Sequence, residues 1–157
     1  MGLMKPRKPS KPPQSTPLSS SEPSGRVSSS DSGHDFAKLG NEFLQASKFI
    51  HEGFKNTPKW PTYETAFQAL ENYLKAYLLN KGATLDQVRD IGPNLRVALL
   101  EAKAKGLVLK VDPVVEEAVM KVSDYYTAKS LGSGEWTSVS PHLVISFADQ
   151  VRRDIRL

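Results

Sequence analysis

The sequence predicts an all-α protein, an up-and-down bundle of four to five helices that follows a disordered N-terminal tail. Three observations support this fold class. Apolar residues recur every three or four positions from residue 35 onward. Residues that favour helix starts and stops separate these segments. Apolar and polar residues alternate with period two only over residues 107–111, a stretch too short to build a sheet.

The tail is distinguished from the domain by composition. Residues 1–33 contain 10 Ser and 6 Pro and no aromatic residue, whereas the whole chain of 157 residues is 39% hydrophobic. A segment this poor in apolar groups cannot offset the entropy lost on ordering, so we expect disorder over 1–33 and a folded domain over 34–157. The tail has five basic and two acidic residues and so carries most of the net charge of +4. The basic pI is therefore weak evidence for a nucleic-acid-binding face on the domain.

The first predicted helix runs from Asp35, its expected N-cap, to about Lys55. Its apolar stripe consists of Phe36, Leu39, Phe43, Ala46, Ile50 and Phe54. The helix should end before Pro58 and Pro61, because a proline disfavours helical geometry in the residue that precedes it.

A second helix is predicted to begin near Thr62 and to stop at Gly82. It has the broadest apolar face of the chain, formed by Tyr63, Ala66, Phe67, Leu70, Tyr73, Leu74, Tyr77 and Leu78. Thr84 then caps a short helical turn that includes Leu85, Val88 and Ile91.

Three further helices follow from cap and proline signals. One runs from Asn94 to about Lys105 and ends at Gly106. The next is opened by Asp112-Pro113 and reaches about Ala128, and the last is opened by Ser140-Pro141. Between these two lies a Gly- and Ser-rich loop, residues 131–140, whose Trp136 we expect to fold back onto the body because of its large apolar area.

Several function classes are disfavoured by the residues that the chain lacks or scatters. There is no cysteine, hence no thiolate nucleophile or thiolate metal site. His34, His51 and His142 do not converge in sequence, so neither a metal nor another cofactor is expected. Glycine-rich phosphate loops and the Gly-x-Ser-x-Gly motif are absent. Without a membrane-length apolar run or a secretory signal pattern, the expected location is cytoplasmic.

Polar residues on the predicted helices have both structural and functional interpretations. Glu71 and Lys75 are one helical turn apart. They could form an exposed ion pair, or they could lie at the edge of a groove or subunit contact. Tyr125, Tyr126 and Lys129 could be packing residues or could stack on and neutralise a nucleic-acid strand. The last turn of the final predicted helix contains three arginines, Arg152, Arg153 and Arg156. They could complement the helix dipole, or they could bind a phosphate.

Residues 66–79 (AFQALENYLKAYLL), 81–83 (KGA) and 92–100 (GPNLRVALL) resemble the core of the HEPN family. In that family a helix with a Glu-x-x-Leu-Lys-Ala-type segment precedes a glycine turn and a Gly-His-x-Leu helix start. The resemblance covers roughly residues 36–155. It implies a bundle of four to five helices that commonly pairs into a homodimer. Many members of the family are RNA-cleaving toxins or defence nucleases, and others bind nucleotides or act as non-catalytic partners.

The chain lacks the residues with which the family's nucleases cleave RNA. Those members place a His four to six residues after an Arg, and no arginine of this chain has one; the family's turn His is Pro93 here. We therefore expect no catalytic residues and a non-catalytic HEPN-like binding or assembly module, with RNA, a nucleotide or a partner protein as ligand. The alternatives are a divergent metal-independent ribonuclease of toxin or defence type and a structural adaptor protein. The binding candidates are Glu71, Lys75, Asn94, Arg96, Tyr126 and Lys129.

Overall fold

The computed structural model describes residues 29–53, 59–128 and 139–156, and these residues form only helices, turns and connecting segments. In chain order the six helices are α1 Ser29–Gly53, α2 Trp60–Asn80, α3 Leu85–Ile91, α4 Leu95–Ala104, α5 Pro113–Thr127 and α6 Pro141–Asp154. The all-α prediction is confirmed, and the helix beyond the predicted five is the short turn expected after Thr84. Residues 107–111 form no strand.

The centre of the bundle is α2, which packs against α1, α3, α4 and α6. Its largest side chains are fully buried, among them Tyr63, Phe67, Leu70, Tyr73 and Leu74. Helix α1 runs antiparallel to α2, because Gly33 lies against Ala76 and Leu79 whereas the Ser47 hydroxyl donates a hydrogen bond of 2.9 Å to the Thr62 carbonyl.

The start of α1 differs from the prediction. The helix begins at Ser29, so Asp35 lies inside it and does not cap it. Residues 29–33, which composition assigned to the tail, form its first turns; packing of the buried Gly33 against α2 supplies stabilisation that local composition does not reveal. The remainder of the predicted disordered segment, residues 1–28, lies outside the described residues.

The buried face of α1 is also shifted from the predicted stripe. Leu44 and the small residues Gly40 and Ser47 are buried, whereas Leu39 is exposed and Phe36 and Phe43 are only partly buried. Close approach to α2 favours small side chains at the contact, and the bulky residues flank it. The predicted stripe member Phe54 is outside the described residues.

The other helix boundaries follow the sequence closely. Helix α2 begins at Trp60, two positions before the predicted start, because Pro61 is accommodated in its first turn, where its missing N–H costs nothing. The caps Thr84, Asn94, Asp112 and Ser140 all accept the expected backbone hydrogen bonds. Trp136 and the rest of 129–138 are outside the described residues. Among the described helices, none has both the length and the apolar character to span a membrane.

Candidate functional site

Glu71 and Lys75 form a salt bridge along α2, with side chains only 15% and 14% exposed. The Lys75 ammonium lies 5.9 Å from the centre of the Phe36 ring, so α1 partly covers the pair. The interpretation as a solvent-exposed pair is therefore wrong, and the interpretation as the edge of a groove or subunit contact stays a prediction. The charges of the pair stabilise the contact between α1 and α2.

Arg96 lies on α4 and binds two carboxylates of α5. Its guanidinium donates hydrogen bonds to Glu117 at 3.0 and 3.3 Å and to Asp124 at 2.8, 3.1 and 3.3 Å. The hydrogen bonds with Asp124 and then Glu117 raise the pKa of Arg96, and the hydrogen bond from Arg96 is the main cause that lowers the pKa of Glu117. All three guanidinium nitrogens are therefore engaged within the chain.

Asn94 acts as the N-cap of the same helix, because its side-chain oxygen accepts a hydrogen bond of 3.1 Å from the Val97 N–H. This role satisfies one of the donors that the helix start leaves without an intrahelical partner. Both sequence candidates on α4 thus have intramolecular partners.

Tyr126 is half-buried in an aromatic cluster, with ring centres 5.6 Å from Trp60 and 5.5 Å from Phe67. Gln68 Nε2 donates a hydrogen bond of 2.9 Å to its hydroxyl. Burial raises the pKa of Tyr126, and the hydrogen bond from Gln68 only partly opposes that shift. A ring packed in this way is unavailable for stacking on a base. Lys129, the last candidate, lies outside the described residues.

The fold brings Glu71, which pairs with Lys75, near enough to Tyr126 for its charge to help raise the pKa of that tyrosine. None of the five described candidates lines the largest described groove, which has a volume of about 590 Å³ and follows the outer face of α5. The groove is lined by Pro113, Val114, Glu117, Ala118, Lys121, Val122, Tyr125 and Val139. The sequence did not predict this surface, because apolar residues at helical spacing are equally consistent with a stripe that faces the core. The signal was a second stripe at helical spacing, formed by Val114, Ala118 and Tyr125.

Two of the three histidines come together only in the fold. The rings of His51 on α1 and His142 on α6 have centres 6.1 Å apart, although 91 positions separate them in sequence. No group of three or more metal-ligating side chains occurs in the part of the chain that the structure describes.

The chain matches no protein-family model, no curated protein and no solved structure. The likeness to the HEPN family therefore stays a resemblance of short sequence segments.

Proposed function

We propose that this protein is a non-catalytic HEPN-like assembly module whose ligand is a protein chain, a second copy of itself bound along the outer face of α5. The observation that carries this proposal is the groove of about 590 Å³ on that face. It is bordered by Val114, whose side chain remains 77% exposed. Val114 joins Ala118, Val122 and Tyr125 along the same groove, and a contiguous apolar patch of this kind is typical of an interaction surface.

The residues available for RNA chemistry support the non-catalytic interpretation. Arg96 is engaged by Glu117 and Asp124, and Tyr126 is half-buried against the core. These partners place acidic groups around the cation that would otherwise contact a phosphate. Repulsion between those carboxylates and a polyanion disfavours RNA as the ligand on this side of α4 and α5.

The charges of α5 suit a second copy arranged antiparallel to the first. Arg96 is shared by two carboxylates, Glu117 and Asp124, and the charge of Lys121 in the same chain also acts on Glu117. Lys121 is exposed and has no salt bridge within the described residues. Around a two-fold axis that passes between Ala118 and Lys121, Lys121 of one copy approaches Glu117 of the other, and each apolar Val114 approaches a Tyr125. Such a surface is self-complementary, as a two-fold interface requires.

Size sets the expected strength of this dimer. An interface formed mainly by one helix buries less than the roughly 1,200 Å² of most stable complexes, so we expect a reversible dimer with a dissociation constant in the micromolar range, on the order of 1–100 μM. Sedimentation or light scattering of the full chain over a dilution series tests this. A protein that is strictly monomeric at about 1 mM contradicts the proposal.

Matched valine variants test which face is used. Val114→Glu should weaken the dimer at least tenfold, about 1.4 kcal/mol, because it places a desolvated charge in the apolar contact. An acidic residue in the first turn of α5 favours the helix, so loss of the dimer would not reflect unfolding. Val108→Glu is the control, since Val108 is also 77% exposed but lies outside α5. Equal effects of the two variants would exclude α5 as the interface, and metal-independent RNA cleavage by the purified protein would overturn the non-catalytic assignment.

A further inference from the structure

A second, polar groove of about 340 Å³ lies where α2 and α6 end. The connection between α4 and α5 closes it, held to α6 by a hydrogen bond of 2.8 Å from the Lys110 N–H to Asp154 Oδ2. Its polar lining consists of Tyr77, Asn80, Lys81, Lys110, Asp154 and Arg156. Residues distant in sequence thus form one concave polar surface.

The side chains of the groove carry an excess of positive charge, which the negative C-terminal ends of the α2 and α6 dipoles only partly offset. Lys81, Lys110 and Arg156 are exposed and form no salt bridge within the described residues. The single carboxylate, Asp154, already accepts hydrogen bonds from the Lys110 N–H and, at 3.0 Å, from Gln150 Nε2. Three cations therefore surround one acid whose two oxygens are both engaged.

The two neighbouring arginines of α6 differ from Arg156 in having a carboxylate partner. Arg152 and Arg153 both pair with Asp149, at 3.0 and 2.5 Å. Arg156, three residues further on, turns into the groove with a backbone φ of +42°, in the left-handed region that non-glycine residues rarely adopt. Arg156 directly follows the C-cap Ile155, a position at which the left-handed conformation is a common helix ending.

The three cations could instead have a structural role, because α2 and α6 both end here and cations stabilise helix C-termini. The last carbonyls of α2 are, however, already hydrogen-bonded by the backbone N–H groups of Lys81, Gly82 and Ala83. In α6 the Ile155 N–H bonds the Val151 carbonyl. Capping of the end of α2 therefore does not require the side chains of Lys81 and Lys110.

We propose that this groove binds a phosphate group of a small molecule. Lysine and arginine are the side chains that bind phosphate by charge-assisted hydrogen bonds. Its volume of about 340 Å³ lies at the small end of ligand pockets, about 300–1,000 Å³. Inorganic phosphate, sugar phosphates and nucleoside monophosphates share the required chemistry.

Isothermal titration of the full chain tests the site, first with inorganic phosphate and then with ribose 5-phosphate and adenosine monophosphate; adenosine serves as the uncharged comparison. Saturable binding of at least one phosphate compound and none of adenosine is the expected result. Lys110→Gln and Arg156→Gln should each weaken that binding at least tenfold. Asp154→Asn should strengthen it, because asparagine keeps an acceptor for the Lys110 N–H while removing the negative charge. Comparison of the three phosphate compounds shows whether a sugar or base adds to the affinity.

Arg89→Gln is the matched control, because it removes one exposed cation on α3 that does not line the groove. It should leave phosphate binding within about twofold of wild type, and circular dichroism confirms that each variant is folded. The proposal is wrong if no phosphate compound binds saturably up to about 10 mM. It is equally wrong if Arg89→Gln weakens binding as much as Lys110→Gln, or if Asp154→Asn weakens it. Purely structural cations predict no binding and a loss of thermal stability in Lys110→Gln.

Discussion

At the scale of single residues, Gly40 determines how closely α1 approaches α2. A Cβ atom at this position would lie 2.7 and 2.8 Å from two ring atoms of Tyr73, closer than real Cβ contacts come. The ring cannot easily move away, because Tyr73 is buried and its hydroxyl donates a hydrogen bond of 2.9 Å to Asn41. Close packing of helix against ring therefore depends on the missing side chain.

We expect Gly40→Ala to destabilise the protein by about 1–3 kcal/mol through overpacking, in spite of the better helix propensity of alanine. Gly33→Ala is the control, since its Cβ would meet Ala76 and Leu79 at an ordinary 3.5–3.6 Å. That variant should be neutral or more stable by up to about 1 kcal/mol. Urea unfolding followed by circular dichroism measures both. Equal stability of the two variants would show that the contact with Tyr73 relaxes without cost.

At the scale of helices, the N-caps define where the elements begin. Asn94 starts α4 by accepting the Val97 N–H, and Thr84 forms a complete capping box with Gln87 at the start of α3. A helix as short as α3 or α4 is marginal by itself, so its caps and its tertiary contacts together hold it in place.

Asn94→Ala should therefore lower the free energy of unfolding by about 1 kcal/mol, and Asn94→Ser should recover most of it. Both variants should leave dimer formation unchanged, because the predicted interface lies on α5. Thermal unfolding and light scattering measure the two properties side by side. If Asn94→Ala weakened the dimer without lowering stability, its side chain would belong to the interface and the α5 assignment would be wrong.

At the scale of the whole molecule, Asp149 joins α6 to α1. Its carboxylate contacts Arg152 and Arg153 on α6 and Lys48 on α1, and its side chain is only 18% exposed. Burial raises the pKa of Asp149, but the hydrogen bond from Arg152 and the charges of Lys48, Arg152 and Arg153 outweigh it, and the net pKa is lowered. A carboxyl group with a lowered pKa in the fold stabilises the protein above its unfolded pKa, about 3.9, and that stabilisation is lost as the pH falls below this value.

Asp149→Asn should accordingly cost about 1 kcal/mol at pH 7, and its difference from wild type should shrink as the pH falls below about 4. Asp86→Asn serves as the control, because Asp86 is 88% exposed and pairs only with Arg89 on the same short helix. Its effect should stay within about 0.5 kcal/mol. Denaturant unfolding at pH 7, 5 and 3 makes the comparison. A difference for Asp149→Asn that is constant with pH would argue against the ionised network.

The sequence predicts local features of the fold better than it predicts the contacts of the candidate site. The caps Thr84, Asp112 and Ser140 were predictable because each acts on backbone groups two or three residues away. The buried face of α1 was not, because it is set by a neighbouring helix. For the same reason Arg96 looked available in sequence, whereas its partners Glu117 and Asp124 lie 21 and 28 positions further along.

The sequence by itself determined the helical class, most helix boundaries and the absence of the Arg–His nuclease pattern, because these follow from local geometry and from residue identity. Only the tertiary structure decided which charges are neutralised and which remain available. Side chains from distant segments come into contact when helices pack. These contacts pair Arg96 with two carboxylates on one surface, and they gather several cations around Arg156 on another.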